Sequence, residues 1–123
     1  MSHKIMVVDD DQPILEVMGI LLRRIGYEPV LMPDVHEALA MIKTDPPSLV
    51  LLDIMMTPIN GWQFLEKVRI ESRNTDLPVI LFTAAPLLED KITRMHDPKL
   101  GLLEKPVSLN ELKACIESFL GPV

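Results

Sequence analysis

Residues 4–11 read KIMVVDDD: four consecutive apolar side chains, Ile5–Val8, followed by three acids. A strand with one wet face alternates apolar and polar residues, whereas a strand covered on both faces is continuously apolar. Four further short apolar runs repeat the pattern, at Val30–Met32, Leu49–Leu52, Val79–Phe82 and Leu100–Leu103. Longer segments of helical periodicity lie between them. Strand and helix therefore alternate, which predicts parallel strands joined by right-handed crossovers, with helices on both faces of the sheet.

The helical segments carry their own signals. Asp11 is a good N-cap for a first helix, with Pro13 in its first turn and Gly26 as its stop. Its apolar positions Ile14, Met18, Leu21 and Ile25 recur at three and four. A second helix is predicted over Val35–Lys43 and a third over Gly61–Ser72, burying Phe64, Leu65 and Val68. A fourth runs from about Leu87 to Met95. A fifth follows Ser108, its cap, with Glu111 as capping-box partner and Cys115 on its core face, where a thiol is inert. Pro29 and Gly101 fall in the second and fifth apolar runs, and both residue types are tolerated best at sheet edges. The expected fold class is α/β: a doubly wound five-stranded parallel sheet, (βα)5, in the order 2-1-3-4-5.

A chain of 123 residues is the size of one domain, so residues 1–123 are read as a single unit with no output domain. Twelve basic against eighteen acidic residues give a net charge of −6, which opposes direct binding to nucleic acid. The uncharged stretches Ile54–Leu65 and Leu77–Leu88 contain Pro and fall short of the roughly 20 apolar residues that span a bilayer. The first residues run into acids without a signal-peptide core, and one cysteine forms no internal disulfide. The expectation is a soluble, cytoplasmic domain with no membrane partner.

In an open α/β sheet, ligands bind beyond the carboxyl ends of the strands, at the point where the strand order reverses. Run 1 ends in Asp9-Asp10-Asp11, run 3 in Asp53, run 4 in Thr83-Ala84 and run 5 in Glu104-Lys105-Pro106. Two carboxylates about 4 Å apart repel by roughly 4 kcal/mol at an effective dielectric near 20. Several acids on one rim therefore call for a cation, and few carboxylates with room for water suit Mg²⁺. A divalent ion, an amine and a hydroxyl facing a carboxylate can hold a phosphoryl group, with the carboxylate as nucleophile. Singly, each residue has a plainer role: Asp11 a cap, Thr83 a strand residue, Lys105 a surface charge, Met55 and Met56 fillers. His3, His36 and His96 show no metal-ligand spacing. The joint placement on four strand ends outweighs the separate plain roles.

The segments KIMVVDDD, LVLLDIMMTPINGW, LPVILFTAA and LLEKPVSLNEL together resemble a response-regulator receiver domain, of the chemotaxis-regulator kind, over essentially the whole chain. The spacings fit: 43 residues from Asp10 to Asp53, 30 from Asp53 to Thr83 and 22 from Thr83 to Lys105. The resemblance implies a flavodoxin-like fold and a phosphorylation-activated switch of a two-component system. It implies Asp53 as phosphoacceptor, with Mg²⁺ held by Asp10, Asp53 and the Met55 carbonyl and, through water, by Asp9. Thr83 and Lys105 would bind the phosphoryl group, Ala84 would leave it space, and Lys105–Pro106 would be a cis peptide. The phosphodonor would be a sensor histidine kinase or phosphotransfer protein. The output, an unknown protein or a second copy of the chain, would meet the surface of the fourth helix, fifth strand and fifth helix. Such a domain catalyses its own phosphotransfer and dephosphorylation without being a turnover enzyme.

Three departures stand out. Thr57 occupies the usual place of Pro four residues after the acceptor, with Pro58 next, so a local turn change is expected. Leu102 replaces the usual aromatic switch residue, which points to motion of the segment 85–95 rather than a side-chain flip. Pro98 stiffens the turn before the fifth strand. Among rival functions, a phosphatase with an Asp nucleophile would want a second Asp as general acid where Met55 stands. A flavin-binding module would not place three acids in its phosphate loop. A partner-binding relic of the fold would be expected to lack one of the acids or the lysine.

Overall fold

The computed structural model describes residues 3–83, 96–105 and 107–122. Five strands form one parallel sheet: β1 (Lys4–Val8), β2 (Glu28–Met32), β3 (Leu49–Asp53), β4 (Val79–Thr83) and β5 (Leu100–Glu104). Their order is β2-β1-β3-β4-β5, as the apolar runs and the edge residues predict. Pro29 stands on an edge strand opposite Ile5, and Gly101 on the other edge opposite Ile80. A Cβ on Gly101 would lie 2.9 Å from the Phe119 ring, so the missing side chain lets the C-terminal helix close on β5.

Alternate residues of each strand feed two cores. Met6, Val8, Val50, Leu52, Val79 and Leu81 pack with Ala38 and Ile42 of α2 (Val35–Thr44) and with Phe64 and Leu65 of α3 (Gly61–Glu66). Ile5, Val7, Leu49, Leu51, Ile80 and Phe82 pack with α1 (Gln12–Ile25) and the C-terminal helix (Leu109–Leu120). Both faces are covered, which is why the strands carry no polar alternation.

Local signals hold with two corrections. Gly26 ends α1 in the left-handed region, φ 116°, donating to the Leu22 and Arg23 carbonyls. Ser108 accepts from the Glu111 amide. The buried stripe of α1, however, is Leu15, Met18, Gly19 and Leu22, with Ile14, Leu21 and Ile25 only half-buried. Periodicity found the helix but set its inward face one residue out of phase. The third helix does not run straight to Ser72: after Glu66 it widens into a π-helical turn over Lys67–Glu71, closed by the Ser72 amide on the Lys67 carbonyl. The predicted fourth helix, at 87–95, lies outside the described residues.

Candidate functional site

The strand order reverses between β1 and β3, β1 pairing with β2 on one side and β3 on the other. Val8 stands opposite Leu52, so the next residues, Asp9 and Asp53, emerge side by side at the carboxyl rim. One carboxylate oxygen from each of Asp9, Asp10 and Asp53 lies within 4.8 Å of the others. Lys105, one residue past β5, brings its Nζ to 3.5 Å from Asp53 Oδ1 and 3.8 Å from Asp9 Oδ2. The ammonium also sits over the Phe82 ring, 4.7 Å from its centre. This contact holds the charge against the end of β4 rather than free in solvent.

The acids are unequal. Asp9 is fully buried, Asp53 is 5% exposed and Asp10 is exposed. Asp9 Oδ1 accepts the Asp11 amide at 2.9 Å, whereas Asp9 Oδ2 has no hydrogen-bond donor. Burial pushes the Asp9 carboxyl up to about 6; the Asp11 amide opposes the rise, the Asp53 charge adds to it and Lys105 opposes it. Asp53 Oδ1 accepts the Met55 amide at 3.3 Å. Three carboxylates facing one ammonium leave two charges unbalanced, which suits a divalent cation, and the orphaned Asp9 Oδ2 is a buried acceptor that such an ion's shell would satisfy.

The structure brings Asp9, Asp10, Asp53 and Lys105 together. Thr83 closes β4 opposite Glu104, but its side chain, like Ala84, Pro106 and the expected Lys105–Pro106 cis bond, lies outside the described residues. Leu102 is half-buried on β5 against the α2–α3 core. Met55 is an exposed loop residue, and Met56 is buried. Asp11 caps α1 by position, yet its side chain makes no cap bond; its amide serves Asp9 instead. Cys115 is half-buried, and burial raises its thiol pKa, in line with an inert core residue.

Two contributors escape sequence reasoning. Gly61 opens α3 directly against the acceptor strand: a Cβ there would stand 2.7 Å from the Asp53 carbonyl oxygen and 2.8 Å from Ile54 Cα. Glycine lets the helix start touch the backbone that carries Asp53, and the Asn60–Gln63 capping box fixes that start. Thr57 donates to Asp10 Oδ2 from its amide at 3.3 Å and its hydroxyl at 3.5 Å. The Thr57–Pro58 bond is cis.

The profile of the response regulator receiver domain matches residues 5–117. The chain belongs to the response-regulator receiver family. Among curated relatives, the receiver domain is 38% identical over 119 residues to "Probable transcriptional regulator ycf27" of Cyanophora paradoxa, covering 97% of this chain and 48% of that protein. It is 32% identical over 120 residues to the phosphate regulon transcriptional regulatory protein PhoB of Escherichia coli, covering 98% and 52%. It thus spans about half the length of the curated relatives it matches. Among solved structures, the N-terminal domain of a response regulator receiver protein from Methanoculleus marisnigri superposes with a TM-score of 0.77 at 35% identity, over 98% of both chains. The chemotaxis protein CheY4 of Vibrio cholerae gives 0.85 at 25% identity, over 97% and 99%. No helix among the described residues is long and apolar enough to cross a membrane.

Proposed function

We propose that residues 1–123 work as one receiver unit, a phosphorylation switch of a cytoplasmic two-component system with Asp53 as the phosphoacceptor. One observation carries the reading: carboxylate oxygens of Asp9, Asp10 and Asp53 lie within 4.8 Å of one another, the buried Asp9 keeps one oxygen without a donor, and Lys105 stands 3.5 Å from the acceptor. Asp10, Asp53 and the Met55 carbonyl would hold Mg²⁺ directly and Asp9 through water. When bound, the ion supplies charge neutralisation for the phosphoryl oxygens.

An Asp53 carboxylate oxygen attacks the phosphorus of a phosphohistidine on a sensor kinase or phosphotransfer protein. The P–N bond breaks, its electron pair returns to the imidazole, and an acyl phosphate forms on Asp53. Lys105 moves its ion pair from the carboxylate to the phosphoryl oxygens, and Thr83 donates its hydroxyl to one of them. Water then attacks the phosphorus, the P–O bond to Asp53 breaks with its electron pair left on the carboxylate, and inorganic phosphate departs. Phosphorylation adds about −1.5 to −2 charges at the rim. Thr83 and Lys105, at the ends of β4 and β5, follow that charge and alter the surface of the segment 85–95, β5 and the C-terminal helix, where an output protein or a second copy docks. Leu102, with neither ring nor hydroxyl, lets that surface change by a shift of the segment.

The test is phosphorylation by acetyl phosphate with Mg²⁺, read by intact mass. The expected gain is one phosphoryl group, absent without Mg²⁺ and absent in Asp53→Asn; equal labelling of that variant overturns the assignment.

A further inference from the structure

Asp10 is the exposed member of the acid cluster, and it is the one held from across the site. An exposed carboxylate beside two others is driven outward by their charge, because solvent is open to it and the rim is not. Thr57 opposes this. Its amide and hydroxyl reach Asp10 Oδ2 at 3.3 and 3.5 Å, bridging the end of β1 to the loop that follows β3. Thr57 is itself anchored, since the preceding Met56 is buried, with its amide on the Ile54 carbonyl at 3.1 Å. A proline at this position would supply neither donor.

We propose that Thr57 is a positioning residue for the cation site: it holds Asp10 turned toward Asp9 and Asp53 through Oδ2 and leaves Oδ1 free for the metal. The inference rests on the reading of Asp10 as a ligand. A carboxylate already oriented loses less freedom when the ion arrives, so Thr57 tightens metal binding without touching the metal.

Mg²⁺ titration by calorimetry on the whole chain tests this. Thr57→Val keeps the shape and removes the hydroxyl, while Thr57→Ser keeps the hydroxyl and removes a methyl. Thr57→Val should weaken Mg²⁺ binding about threefold, the scale of one long, exposed hydrogen bond, and Thr57→Ser should bind like wild type. Equal affinity of the Val variant and wild type overturns the proposal, as does a Ser variant that binds as weakly as Val. Asp10→Asn separates the two failures. Should it bind like wild type, the ligand role of Asp10 falls; should it weaken binding while Thr57→Val does not, the role of Thr57 alone falls.

Discussion

The sheet carries a charged cluster at each rim, and the two are built on opposite principles. At the amino ends of β4 and β5, Arg69 lies in the π-helical turn with its side chain 12% exposed. Its guanidinium donates to Asp97 Oδ2 at 2.9 Å and to the carbonyls of Asn74, Leu77 and Lys99 at 3.0, 2.7 and 3.2 Å. Asp97 in turn accepts the Lys99 amide at 2.9 Å. Cation and anion balance, and each has its donors or acceptors. At the carboxyl rim three acids face one lysine, and a fully buried oxygen has no donor. Both clusters bear the cost of desolvating charge. The first recovers it inside the folded chain and ties the π-helical turn to the two segments 74–77 and 97–99. The second cannot recover it without something from outside. A matched buried charge is architecture, and an unmatched one marks where chemistry enters.

The contrast makes three predictions of decreasing size. Arg69→Met strands Asp97 Oδ2 and the Asn74 and Leu77 carbonyls, while the Lys99 carbonyl keeps the Val79 amide, so it should cost about 3–5 kcal/mol in denaturant unfolding, the scale for breaking one side of a buried pair. A cost near that of a surface substitution would dissolve the contrast.

Asp9→Asn should act in the opposite direction. The Asp9 carboxyl titrates near 3.8 when unfolded and near 6 when folded, so between those values the native state holds a proton that the unfolded state lacks. Metal-free stability is therefore greatest below the window, falls as pH rises through it and stays low above. The variant should flatten this fall and raise metal-free stability at about pH 7.5 by up to about 3 kcal/mol. Added Mg²⁺ should stabilise wild type more at that pH than at about pH 5. A wild-type protein whose metal-free stability rises from pH 4 to 7 would overturn this prediction.

The smallest effect belongs to a pair outside both clusters. Lys67 and Glu71 meet at 3.4 Å with both side chains more than a third exposed, so Lys67→Ala should change stability by less than about 0.5 kcal/mol. The same unfolding measurement reads it. A cost comparable to that of Arg69→Met would mean that distance, rather than burial and matching, governs these charges.

Much of this was legible beforehand, and for a physical reason. Strands buried on both faces must be continuously apolar, and the residue that ends such a run must stand at the sheet's rim. The runs ending at Val8, Leu52 and Leu103 therefore located Asp9, Asp53 and Lys105, and the edge residues Pro29 and Gly101 suited, without fixing, the order that puts β1 beside β3. Helix caps and stops are local too, so Gly26 and Ser108 did what their types do anywhere. The relations between non-neighbours were not legible. Arg69 is one of twelve basic residues until the π-helical turn brings the segments 74–77 and 97–99 around it. Thr57 read as a change of turn until folding set it against Asp10, 47 positions away along the chain. Gly61 read as a helix start until α3 met the Asp53 carbonyl. Composition and periodicity did not tell Asp9 from Asp10, two identical neighbours to which only the family resemblance gave different roles; folding sealed one under the sheet's rim and left the other open to water. The sequence by itself determined which residues end the strands, because burial dictates composition. Only the tertiary structure decided which of them are matched, because hydrogen bonds and charge pairs form across space between groups whose separation along the chain carries no signal.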